Sequence, residues 1–187
     1  MKDPLATRFL GEGEFPSWDA LVASADEGSP YQSSEYLGAL CEATGGTFRV
    51  LAAARAPEIL GGVALYQEGG RRGVEIAPRL LLYYNGIVLR PSESKYPSQR
   101  TARQLETLGA LEPALRRMDF ARLRLKCRSP FRDARVFQQS GWTVQPSYSY
   151  VVPLSDLGRL RERVEQNLRR LVDRCGRQGI TLTEDDD

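Results

Sequence analysis

Hydrophobic positions along the chain change period several times, and each change predicts an element. Residues 5–10 suit a short first strand, and Phe15-Pro16-Ser17 then opens a helix whose Trp18, Leu21 and Val22 fall on one face. In SPYQSSEYLGALCEATGG, Ser33 or Ser34 is the predicted N-cap. Tyr36, Leu37, Leu40 and Cys41 make the stripe, and Gly45-Gly46 ends the helix. The period then becomes extended. FRVLAAAR, a turn around Ala56-Pro57-Glu58, LGGVALYQE, a turn at Gly69-Gly70, GVEIAP and LLLYYNGIVL predict an antiparallel meander. Helical spacing returns over 98–118, with Ala102, Leu105, Leu108, Leu111, Leu115 and Met118 on one side and Pro113 placed to kink or divide the helix. ARLRLKC follows as a strand in which Leu123 and Leu125 alternate with Arg122, Arg124 and Lys126.

The stretch 129–154, SPFRDARVFQQSGWTVQPSYSYVVPL, predicts two elements. Asp133 to Gly141 fits a short capped helix; Trp142 to Val152, aromatic and β-branched, fits a strand in which Pro146 marks a bulge or an edge. A last helix over 156–174, with Ser155 as N-cap, carries Leu157, Leu160, Val164, Leu168, Leu171 and Cys175 as a stripe. Such a stripe must be covered. It folds back on its own unit or docks on another chain, so a dimer, or a need for a partner half, is expected.

Composition narrows the class. With 187 residues, 41% hydrophobic and 27% charged, the chain suits one globular domain plus an appendage, and its net charge of +2 gives no global drive toward nucleic acid. That sum hides a basic window: residues 100–135 hold ten Arg or Lys against four Asp or Glu. Three distant cysteines without metal-ligand spacing point to buried thiols in a reducing, cytoplasmic setting, and no apolar run is long enough to span a bilayer. The chain has no histidine. A Ser-His or Cys-His nucleophile and a His-ligated zinc or haem are therefore excluded for the chain acting alone, and neither a metal nor a cofactor is expected.

Three runs sharpen the picture. SPYQSSEYLGAL, SPFRDARVFQQSGW, and YSYVVPL followed by NLRRLVDRCGRQGI resemble, in order, signatures of the FemAB/FemX-like aminoacyltransferases and their BioF2-like acyltransferase relatives, of the GNAT superfamily. The resemblance implies an α+β, GNAT-like fold: a mixed, mainly antiparallel sheet flanked by helices, with a C-terminal amphipathic helix. It implies a GNAT-like domain over 1–154, with 155–187 resembling the start of a second such unit, so that the chain corresponds to the family's N-terminal half. The activity implied is aminoacyl or acyl transfer, as in peptidoglycan biosynthesis. The first unit would bind a UDP- or lipid-linked muropeptide or an amino-sugar acceptor, and an aminoacyl-tRNA donor would engage through a full second unit that this chain does not contain. An acetyl-CoA-dependent N-acetyltransferase is the remaining reading. It would need a glycine-rich pyrophosphate turn at the start of the helix after the meander, where SESKYPSQRTARQLE has no glycine.

In that mechanism the acceptor amine attacks an activated ester directly, and the protein supplies orientation and electrostatics. Candidate contacts are Gln32 and Ser33 on the second helix, Tyr83, Tyr84 and Asn85 on the meander, and Lys126, Arg128 and Arg135 for anionic oxygens. Plain structural roles fit the same residues. Tyr83 and Tyr84 would point to opposite faces of one strand, and Arg122, Arg124 and Lys126 would form the solvated side of a sheet.

Overall fold

The computed structural model describes residues 4–70, 73–151 and 154–181. The chain divides into two compact units, Met1–Val144 and Gln145–Asp187. The first is α+β, with a mixed, mostly antiparallel open sheet flanked by helices.

Its elements are β1 (Ala6–Phe9), α1 (Phe15–Ser24), α2 (Ser34–Thr44), β2 (Thr47–Arg55), β3 (Glu58–Gly70), β4 (Gly73–Ile76), β5 (Ile87–Leu89), α3 (Pro97–Arg116), β6 (Arg122–Leu123) and α4 (Arg135–Gln139). β1, β2 and β3 pair antiparallel in order, with β3 bound to both β4 and β5 and β6 lying parallel to β4. Alternation splits the core between the two faces of the sheet. Val50, Ala52, Ala64, Tyr66 and Val88 pack with Trp18, Leu21, Leu37 and Leu40 of α1 and α2. Leu51, Ala53, Val63, Leu65, Ile87 and Leu89 pack with Leu108, Leu111 and Leu115 of α3 and Phe137 of α4. With both faces covered, FRVLAAAR reads as an apolar run rather than an alternating one.

Helix ends follow local chemistry. The Ser33 hydroxyl accepts the Tyr36 N–H (3.3 Å) at the start of α2, and Gly45 closes it at φ 71°, a left-handed conformation that glycine adopts without a Cβ penalty. α3 runs through Pro113 as a single helix. The expected division does not occur, because Leu111 and Leu115 on either side of the proline are both anchored in the core.

Strands depart further from the pattern. Of LLLYYNGIVL only Ile87–Leu89 is strand, and ARLRLKC contracts to Arg122–Leu123. On β3, Val63 pairs with Ile87 and Glu68 with Glu75, while residues 122–127 bond first to β4 (Arg124 N–H to Ile76 C=O, 2.8 Å) and then to Asn85. β4 and β5 therefore lie end to end along one edge of β3, and residues 77–86 leave the sheet between them. The strand expected over 142–152 is absent from the described residues. Among the described residues no backbone bond reaches 143–151, and Tyr148 and Tyr150 are 94% and 99% exposed. A strand needs a neighbouring edge to take its N–H and C=O groups; side-chain type alone cannot supply one. Val152, also in that expected strand, lies outside the described residues.

In the second unit the single predicted helix is two, α5 (Leu157–Arg163) and α6 (Gln166–Arg177), separated where Val164 and Glu165 turn extended at ψ 134° and 139°. Asp156, not Ser155, caps α5 by accepting the Arg159 N–H at 3.0 Å. Among the described residues no helix is long and apolar enough to cross a membrane.

Candidate functional site

The excursion 77–86 builds the most distinctive surface of the first unit. Arg79 and Leu82 exchange backbone hydrogen bonds (3.1 and 3.0 Å) across a two-residue turn, and Leu82 plugs into the core. Leu80 and Leu81 stand outside at 84% and 63% exposure. Leu81 takes φ 64°, a region that a leucine rarely enters, and the Tyr36 hydroxyl donates to its carbonyl. Helix α2 thus clamps the turn.

Tyr83 and Tyr84 follow immediately, and they do not point to opposite faces as a strand would require. Their rings meet edge to face with centroids 4.8 Å apart. Tyr84 also approaches Tyr31 (6.3 Å), which stands edge-on to Tyr36 (5.3 Å). Lys126, from the chain after β6, holds its Nζ 3.3 Å from the Tyr83 centroid and 5.7 Å from that of Tyr84. An ammonium over a ring face is attracted by the ring quadrupole, so the cation is held without being neutralised. Among the described residues Lys126 has no carboxylate partner. Four tyrosines and one unpaired cation form a half-open patch.

The other predicted site residues are engaged in structural bonds, and Gln32 and Asn85 hold this patch in place. Gln32 is buried, donates from Nε2 to the Gly86 carbonyl (2.9 Å) and accepts from the Ser29 hydroxyl (2.9 Å), while its own carbonyl receives the Trp18 indole N–H (2.8 Å). Ser33 caps α2. Asn85 is buried and acts as a piece of strand: its Nδ2 donates to Arg124 C=O (3.0 Å), and its Oδ1 accepts Lys126 N–H (2.8 Å). Asn85 thereby fixes the backbone that aims Lys126. Arg128 donates to the Gly28 carbonyl and to that of Asp26 (3.3 Å), which ties the chain after β6 to the loop after α1. Arg135 is exposed and paired with Asp133 (2.8 Å), whose carboxyl it holds below the ordinary range. These two arginines do not join Lys126 in a common anion site.

Two further titratable groups bond to the backbone of β5. Burial pushes the Cys127 thiol up to about 11, against a bond from the Ile87 backbone, so it is no nucleophile near neutral pH. Burial also raises Glu27, opposed by its own backbone, the Leu89 backbone and the nearby Arg128. Among the described residues no group of three Cys, Asp or Glu is placed to hold a metal.

Tyr31 and Tyr36 were missed as members of a site. Both belong to the SPYQSSEYLGAL run, where spacing assigns Tyr36 to the core stripe, and nothing local in the sequence brings them to Tyr84. No protein-family model, curated protein or solved structure matches the chain.

Proposed function

We propose that the chain is a GNAT-like, Fem-like aminoacyl or acyl transferase unit whose part is to hold an anionic acceptor at the Tyr31–Tyr36–Tyr83–Tyr84–Lys126 patch. The observation that carries this reading is the unneutralised Lys126 ammonium fixed among tyrosine rings. Rings accept the flat or apolar parts of an amino-sugar or peptide, and the cation accepts a phosphate or carboxylate. The order of elements and the three ordered motifs support the class. In the reaction the acceptor amine forms the new C–N bond, the ester C–O bond breaks, and the departing oxygen takes up the amine proton. Orientation is the task of the patch.

UDP-N-acetylmuramyl-peptide titrated into the protein is the direct test. Binding is expected, with Lys126→Ala weakening it about tenfold or more, the scale of a lost charge-assisted hydrogen bond. Tyr83→Ala should act in the same direction, and Arg135→Ala should leave affinity unchanged because that guanidinium is spent on Asp133. Absence of heat with any nucleotide-sugar would remove the acceptor assignment. One observation favours a second reading, a non-catalytic half that completes a partner subunit: Leu168, Leu171, Val172 and Ile180 are all more than half exposed. An acetyl-CoA-dependent N-acetyltransferase has no such observation behind it.

A further inference from the structure

The second unit carries a feature that this acceptor reading does not use. Between α5 and α6 the extended pair Val164–Glu165 turns the chain, so that Arg161 of α5 meets Asp173 of α6 at 3.2 Å. The elbow borders a shallow, open cleft of about 310 Å³ lined by Arg161, Gln166, Arg169, Arg170 and Asp173. Three guanidiniums against one carboxylate leave the lining at +2. Among the described residues neither Arg169 nor Arg170 has an ion-pair or hydrogen-bond partner for its guanidinium, and the Arg169 Nε–H is shut off from water with no acceptor. A buried donor without an acceptor is uncommon and calls for an explanation. Guanidinium forks match tetrahedral oxyanions bidentately, and the Gln166 amide adds a neutral donor. Asp173 competes only weakly, because its pair with Arg161 is exposed on both sides.

We infer that the α5–α6 elbow is a phosphate-binding site, in which Arg161, Arg169 and Arg170 grip the oxygens of a phosphate or diphosphate group and the incoming dianion displaces Asp173 from Arg161. The site is built from residues of the Gln145–Asp187 unit alone, and its test does not depend on the tyrosine–lysine patch.

Calorimetry on the full chain at low salt, with inorganic phosphate and with pyrophosphate, reads the site directly. Pyrophosphate should bind more tightly than phosphate. The double substitution Arg169→Gln/Arg170→Gln should weaken it by about tenfold or more. Arg163→Gln/Arg177→Gln removes the same charge from outside the cleft and should change affinity little. Asp173→Asn should tighten binding, a gain that a purely structural role for Asp173 would not give; circular dichroism of each variant establishes that the helices persist. A single-stranded oligouridylate separates the sources of the phosphate. If it binds more tightly than pyrophosphate, with a steep salt dependence and the same loss in Arg169→Gln/Arg170→Gln, the site serves a polynucleotide. If pyrophosphate binds and the oligonucleotide does not, it serves a small phosphate compound. No heat with any of the three, or equal loss in the control double variant, overturns the inference.

Discussion

Glu112 is a charged residue in the apolar half of α3, between Leu111 and Leu115, and it is buried with them. Burial lifts its carboxyl, but the Trp142 indole N–H (2.7 Å) and Arg116 Nε (2.9 Å) more than offset this, and the net shift is downward. Arg116 also donates to the Ser140 carbonyl, so one carboxylate ties α3 to the end of α4. Since the folded pKa lies below the unfolded value of about 4.3, the stabilisation is complete above that pH and is lost as pH falls through the folded value. Glu112→Gln should cost about 1–3 kcal/mol at pH 7. Urea unfolding as a function of pH should show the gap to the unsubstituted protein closing below about pH 4; a gap constant down to pH 2 would refute the assignment. None of this was legible in the pattern. Residue type marks Glu112 as a surface group, and its partner Trp142 arrives from beyond two further elements. Gln32 and Asn85 tell the same story: their residue types suit ligand contacts, yet the Gln32 Nε2 and both ends of the Asn85 amide are used up on backbone groups far away in sequence.

The first three helices and the first four strands were readable and the later strands were not, and the difference lies in where each finds its hydrogen bonds. The starts of α1 and α2, the Ser33 cap and the Gly45 end came from neighbours within a few residues. The strands between Ile76 and Val144 contracted because each required an edge that only the folded sheet provides. Gly86 exposes the constraint. A Cβ there would lie 2.5 Å from Cys127 Cα and 2.9 Å from its N, contacts that backbone cannot relieve by rotation. Gly86→Ala should therefore push residues 122–127 off the 85–87 segment and lower stability by about 1–3 kcal/mol in denaturant unfolding, with Lys126 losing its place over Tyr83. An unchanged midpoint would mean that the approach is not tight.

For the molecule as a whole, the apolar stripe of the second unit is the open account. Leu168 and Leu171 are each about half exposed and Val172 is 63% exposed, in a unit with two short helices of its own. Apolar side chains grouped on one helix face are covered when a partner face is available. A dimer, or a complex with a second subunit, is the expected state in light scattering. Leu168→Glu/Leu171→Glu should shift a dimer to monomer while leaving the unfolding of the Met1–Val144 unit in place. A monomer at every concentration, alone and with candidate partner chains, would exclude this surface as an interface.

By itself the sequence determined what neighbouring residues decide together: the first three helices with the Ser33 cap and the Gly45 end, the extended run FRVLAAAR, the amphipathic character of 156–174, and the exclusion of histidine chemistry. The tertiary structure decided which strands exist, where the last helix breaks, and which polar side chains remain free. The reason is range. Capping and helical spacing act over a few residues. The Lys126–Tyr83–Tyr84–Tyr31–Tyr36 patch joins three separate parts of the chain, and it exists because Asn85, Gly86 and Gln32 lock residues 77–86 against 122–127 and the start of α2.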